Sequence, residues 1–238
     1  MTIRKVYCLF EQSGTFKNAF KAHGIEAEDF DILNDFGQTD HIIDLFKEIN
    51  KSFNSEASIF DDIGKEDLCI AFFPCTRFQA YNCINFQGKN TGMKKWSMIE
   101  KIKYSMNLHE ELHRNYILIC KLFTISLRGG WRLIVENPYT QPHYLTMYFP
   151  VEPKVIIKDR NKEGDYYSKP TQFYFVNCEP EQNVILEPIP KEQKQLIKDP
   201  QKMKSGKNRN VTRSLIHPYF AERFIKTFVL SKEGGVWY

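Results

Sequence analysis

The chain has 238 residues, 42% hydrophobic and 26% charged, with a formal net charge of +4. That length suits one domain with room for an inserted lobe, and a core of this size needs neither disulfides nor a metal to fold. No run is apolar enough to span a membrane and residues 1–10 carry no long apolar leader, so a soluble cytoplasmic protein is expected. None of the six cysteines forms a C-x-x-C pair, which reads as free thiols in a reducing compartment.

Charge is segregated along the chain. Between Glu26 and Asp67 there are thirteen acidic residues against three basic; between Arg77 and Arg132, ten basic against three acidic; between Lys191 and Arg213, eight basic against two acidic. A polyanion would avoid the first stretch and be drawn to the other two, unless these are merely solvated surface.

The elements alternate. Ile3–Phe10 is a short apolar run, and after Glu11–Thr15 the residues Phe16, Ala19, Phe20 and His23 recur at helical spacing until Gly24. Glu26–Leu33 predicts a second strand, and Asp40–Phe53 a helix whose first residues can pair as a short strand. Leu68–Phe73, ending at Pro74, reads as a strand buried on both faces. Thr76–Asn107 reads as a long loop or small lid, His109–Leu127 as a helix closed by Gly129 and Gly130, and Trp131–Val135 as another buried strand. Val155–Ile157 and Thr171–Val176 predict strands, Glu179–Asn210 a mobile arm, and Ser214–Val229 a final amphipathic helix. Alternation of this kind predicts an α/β fold, a mostly parallel sheet with helices on both faces.

In such sheets ligands bind beyond the carboxyl ends of the strands, and four ends carry polar or reactive residues. Ser13-Gly14-Thr15 opens the first helix, where a small residue lets the backbone approach a ligand. Asp31 closes the second strand, where a carboxylate can accept from two ribose hydroxyls. Cys75 follows Pro74 where the chain turns, with Arg77 nearby to favour the thiolate. Glu136-Asn137-Pro138 follows the strand that is its neighbour in the simplest topology. His109-Glu110-Glu111-Leu112-His113 matches H-E-x-x-H, but Glu111 puts a charge on the face such a helix packs, and no third ligand presents itself. It reads as a chance match on a crossover helix, and no metal is expected.

Phe10-Glu11-Gln12-Ser13-Gly14-Thr15-Phe16, Phe73-Pro74-Cys75-Thr76 and Glu136-Asn137-Pro138 occur in the order and at about the spacing of three motifs of cytosine-5 DNA methyltransferases. The chain resembles the compact, phage-associated branch of that family, to which Tyr167-Ser168-Lys169-Pro170-Thr171 and Arg213–Tyr219 are also similar. The resemblance implies a Rossmann-like class I S-adenosylmethionine-dependent methyltransferase fold, with S-adenosyl-L-methionine as cofactor and DNA as partner, in the cytoplasm of a bacterial or phage-infected cell. It implies that Cys75 attacks carbon 6 of cytosine, Glu136 holds and protonates nitrogen 3, Pro74 stiffens the loop and Asn137 orients Glu136. Cofactor contacts fall to Phe10, Glu11, Ser13, Gly14, Asp31 and Ile32, with Asp44 or Asp62 at the adenine. Nucleic-acid contacts fall to Arg77, Lys94, Lys95, Arg209 and Arg213, and a target base in duplex DNA must be flipped out.

Two departures stand out: Gln12 occupies a place where the family often has glycine, and no Q-x-R-x-R segment follows Glu136. The expected division is a cofactor-binding and catalytic core over 1–150, a small basic recognition region over 151–213, and a helix and strand over 214–238 returning to the core. The alternative is a decayed methyltransferase scaffold that binds nucleic acid, a nucleotide or a protein partner, for example against host defence.

Overall fold

The computed structural model of the protein describes residues 2–79, 83–140, 143–189, 215–231 and 236–237. Seven strands form one sheet: β1 (Lys5–Leu9), β2 (Glu26–Asp31), β3 (His41–Ile42), β4 (Leu68–Phe72), β5 (Arg132–Pro138), β6 (Val155–Ile157) and β7 (Thr171–Val176). Their order is β3-β2-β1-β4-β5-β7-β6. β1 to β5 pair in parallel, and β7 runs antiparallel to both β5 and β6. This is the doubly wound order of a Rossmann-like class I methyltransferase fold, and the order reverses between β1 and β4. A separate pair, β8 (Val184–Ile185) and β9 (Val236–Trp237), lies outside the main sheet.

Side chains alternate along each strand, so a sheet covered on both faces needs apolar residues at every position. β1 shows this: Val6 and Cys8 enter the core beneath helices α1 (Thr15–Ala22) and α6 (Pro218–Phe228), where Phe16, Phe20, Phe220 and Phe224 pack. Tyr7 and Leu9 enter the opposite core with Leu45, Ile49, Leu118 and Leu122 from α2 (Leu45–Phe53) and α4 (Met98–Gly129). Two short helices, α3 (Cys83–Phe86) and α5 (Tyr144–Tyr148), lie beside α4's face of the sheet.

α4 departs most from expectation. The polar stretch Thr76–Asn107 reads as loop, yet the helix begins at Met98 and runs 32 residues. Its start is a capping box: Ser97 Oγ accepts from the Glu100 amide and Glu100 accepts from the Ser97 amide. The first turns escape the apolar-stripe criterion because Met98, Ile99, Ile102 and Met106 stay exposed. Gly130, at φ +71°, ends the helix.

Of the stretch 151–213, Thr171–Val176 enters the main sheet beside β5 and Val155–Ile157 pairs with it at the sheet edge. The basic run Lys191–Arg213, with Arg209 and Arg213, lies outside the described residues. All six cysteines are free thiols. Among the described residues no helix is long and apolar enough to cross a membrane.

Candidate functional site

The switch point brings two turns together. Phe10 leaves β1 with φ +59°, a left-handed conformation that costs a bulky residue about 1–3 kcal/mol. Its amide donates to the Phe30 carbonyl at 2.8 Å, which keeps β1 and β2 paired through the bend. Its ring meets Phe73 at 5.3 Å and Phe46 at 5.7 Å, joining the ends of β1 and β4 to the start of α2.

The next residues fold inward. The Glu11 carboxylate is buried and accepts from the amides of Phe16 (2.8 Å) and Lys17 (3.3 Å) and from Ser13 Oγ (3.2 Å). Gly14 is at the N-cap of α1, where it has no side chain to offer, so Glu11 supplies the missing acceptor. Glu11 and Ser13 are thus engaged inside the turn. Gly14 has φ +67°, and a Cβ there would lie 3.2 Å from Asn18 Nδ2 and 3.4 Å from both Lys17 Cε and Gln38 Cβ. Gly14→Ala is therefore expected to cost about 1–2 kcal/mol, read as a lower urea midpoint at unchanged m-value.

Burial pushes the Glu11 carboxyl up to about 7, partly offset by the two backbone donors. With the folded value above the unfolded one of 4.5, the folded state holds the extra proton between them. Stability from this group therefore falls as pH rises from about 4.5 through 7. Glu11→Gln is expected to flatten that slope, measured by urea unfolding between pH 5 and 8; an identical slope in both proteins would refute it.

At the end of β2, the Asp31 carboxyl is raised by burial, and its Oδ1 accepts from the Leu33 amide at 2.8 Å. Ile32 (60%) and Ile42 (64%) stand exposed beside it. Asp44 stands at this same edge, because Ile42 pairs with Asp31, and its carboxylate caps α2 through the amides of Phe46 and Lys47. Asp62 does not: α2 carries the chain back to the amino edge, where the 3-10 turn Ile59–Asp62 packs Phe60 flat on Trp131 at 5.8 Å. Of the two adenine candidates only Asp44 is near Asp31. The acid at β2 and the exposed isoleucines fit a nucleoside, while Gly14 is packed by the side chains of Lys17, Asn18 and Gln38.

Cys75 and Glu136 lie on neighbouring strand ends. Phe72 pairs with Glu136 in register, and Cys75 follows three residues later. Asn137 is fully buried and its Nδ2 donates to the Phe73 carbonyl at 3.0 Å, tying β5 to the Pro74–Cys75 turn. Gln79 Nε2 donates to Cys75 Sγ at 2.8 Å. Burial pushes the Cys75 thiol up; Lys169 pulls it down and Glu136 pushes it up further. The cation acting on this sulfur is thus Lys169, not Arg77, whose Nε is paired with Glu111 at 2.5 Å. Lys94 and Lys95 are exposed on the turn before α4.

Four side chains here, Arg160, Asp165, Lys169 and His143, have no sequence signature that singles them out. Arg160 is 1% exposed; it reaches Glu136 Oε1 at 3.3 Å through Nη1 and Asp165 Oδ2 at 2.5 Å through Nη2, over the Phe220 ring at 4.7 Å. Asp165 is itself fixed by the amides of Tyr166 and His217, both at 2.8 Å. Lys169 Nζ lies 3.9 Å from Glu136 Oε1. His143, beneath the cysteine turn and edge-on to Phe78 at 6.2 Å, is fully buried, and burial pushes it down to about 4. A buried acid gripped by a cation, beside a thiol, can hold a polar ring while sulfur adds to it. On α4, His109 Nδ1 donates to the Ser105 carbonyl at 2.8 Å, and among the described residues no third His, Cys, Asp or Glu groups with His109 and His113.

No protein-family model matches the chain, and no curated protein matches it in sequence. Among solved structures, the Entamoeba histolytica methyltransferase EhMeth is similar at a TM-score of 0.40 and 14% identity, over 80% of this chain and 58% of that one. The chain thus spans little more than half the length of that methyltransferase, and the fold assignment rests on its own strand order.

Proposed function

We propose that the chain is an S-adenosylmethionine-dependent methyltransferase acting on carbon 5 of cytosine in DNA through a covalent adduct on Cys75. The observation that carries this reading is the convergence of Cys75 and Glu136 on adjacent parallel strand ends, locked by Asn137. Cys75 Sγ adds to carbon 6 as the electrons of the 5,6 double bond pass to carbon 5. Glu136 in its acid form, positioned by Arg160 and Lys169, would give its proton to nitrogen 3 as sulfur adds, so that the negative charge ends on the carboxylate and not on the ring. With the methyl group that the cofactor would supply in place on carbon 5, loss of the carbon 5 proton to solvent re-forms the 5,6 double bond as the Sγ–C6 bond breaks and the thiolate leaves. Asp31, Ile32 and Phe10 would hold the cofactor, with Asp44 toward the adenine, and when bound it supplies an electrophilic methyl group. The recognition region is the 151–213 stretch. The test is transfer of labelled methyl from S-adenosylmethionine to a cytosine-containing oligonucleotide, with 5-methylcytosine identified in the product.

A second reading is favoured by the tight surroundings of Gly14: a methyltransferase scaffold that binds nucleic acid, a nucleotide or a protein partner without transfer. Calorimetry separates the two. Saturable binding of S-adenosylmethionine supports the enzyme, and no heat at millimolar cofactor supports the scaffold.

A further inference from the structure

The turn that carries Cys75 has a second side. There a cleft of about 370 Å³ is walled by Phe78, Phe86, Tyr144 and Tyr148, with Gln79 and His109 among its polar groups. The walls are braced. The Tyr144 amide donates to the Phe78 carbonyl at 2.9 Å, and the Tyr116 hydroxyl donates to the Tyr148 carbonyl at 3.1 Å. The rings of Phe78 and Tyr144 lie nearly parallel at 6.2 Å, Tyr148 tilts against Tyr144 at 4.8 Å, and His109 stands edge-on to Phe86 at 4.8 Å. Gln79 belongs to both sites: its side chain lines the cleft while its Nε2 donates to Cys75 Sγ.

We propose that this cleft receives the base next to the target cytosine in an unpaired substrate strand, a step that rests on the reading of Cys75 given above. The volume is at the small end for ligand sites, suited to one nucleotide rather than a large cofactor. Phe78 is fully buried with Phe73 and Tyr144 stacked on it, so the ring surface open to a base comes from Phe86, Tyr144 and Tyr148; such rings with a few amide and imidazole edges are what base stacking without strict sequence readout requires. Arg77, paired with Glu111, stands at the rim of the cleft and brings a cation within reach of a strand's backbone. Continuity through Gln79 puts the second ring site directly beside the thiol. In duplex DNA the target base is extruded while its neighbours remain paired and stacked, so a second base site implies a strand with no partner.

The test uses the whole protein and short single-stranded oligonucleotides with one cytosine, read by fluorescence anisotropy. Removing the base at one position adjacent to the cytosine is expected to weaken binding about tenfold, and Tyr148→Ala to weaken binding of the intact strand about as much and to erase sensitivity to that missing base. Tyr148 is 58% exposed, so its loss leaves the core intact. The matching duplex is expected to bind less tightly than the single strand. A flat abasic series, an unchanged Tyr148→Ala, or preference for the duplex would each overturn the proposal. Covalent capture on a 5-fluorocytosine strand is scored in parallel: capture with a flat series removes the second base site and leaves the Cys75 chemistry standing, whereas position-dependent binding without capture does the reverse.

Discussion

Cys75→Ser is expected to abolish methyl transfer to cytosine, by a factor on the order of 10⁴ or more, while leaving cofactor binding and the unfolding midpoint nearly unchanged. The size of the loss follows from the role assigned to the sulfur. A serine hydroxyl at this position has no cation able to ionise it: Lys169 offsets burial for the thiol only in part, and Arg77 is committed to Glu111. The structural cost is small because Cys75 is only half-buried and Gln79 Nε2, which donates to its sulfur, can donate to oxygen as well. A transfer assay paired with calorimetry checks both halves. Residual transfer within tenfold of the native protein would mean that another group supplies the nucleophile.

Arg160→Met is expected to lose about 3–5 kcal/mol of stability, a fall of roughly 10 °C in Tm, together with all measurable transfer. The guanidinium is buried between two carboxylates that are themselves buried, Glu136 and Asp165. Removing it takes the cation from Asp165 and leaves Glu136 only the more distant Lys169, 3.9 Å away, in a region of low dielectric. Methionine fills much the same volume over the Phe220 ring, so the loss reports charge rather than a cavity. Adding Glu136→Gln to Arg160→Met is expected to recover part of the stability and none of the activity. Equal Tm values for Arg160→Met and the native protein would show that this ion cluster does not hold the strand ends together.

Much of the sheet was legible from pattern. Val6 to Leu9, Leu68 to Phe72 and Leu133 to Val135 are continuous apolar runs, and only a strand covered on both faces asks for them. Cys75 and Glu136 were legible as candidates because they follow such runs, Gly14 because it lies in the turn after the first, and Asp31 because it closes the more polar second strand; strand ends are where open sheets bind ligands. The unread parts depend on side chains that local pattern does not place. Arg160 stands in a polar stretch, and nothing in Asp159-Arg160-Asn161-Lys162 says that the arginine turns inward to meet an acid 24 residues earlier. Lys169 was seen only as part of Tyr167–Thr171; its effect on Cys75 requires β7 to run back beside β5. Asp44 and Asp62 were indistinguishable until the direction of α2 put one at each edge of the sheet. The start of α4 was hidden because its first turns point apolar residues outward, although Ser97 and Glu100 carry the three-residue spacing of a capping box.

The most direct measurement is the intact mass of the protein after incubation with S-adenosylmethionine and an oligonucleotide whose single cytosine bears fluorine at carbon 5. Fluorine there blocks the proton loss that releases the enzyme, so the protein is expected to gain the mass of the methylated strand, with the link mapped to the peptide containing Cys75. A protein that binds the cofactor and the strand yet gains no mass, or gains it at another cysteine, would contradict the pairing of Cys75 with Glu136 as a methyl-transfer site.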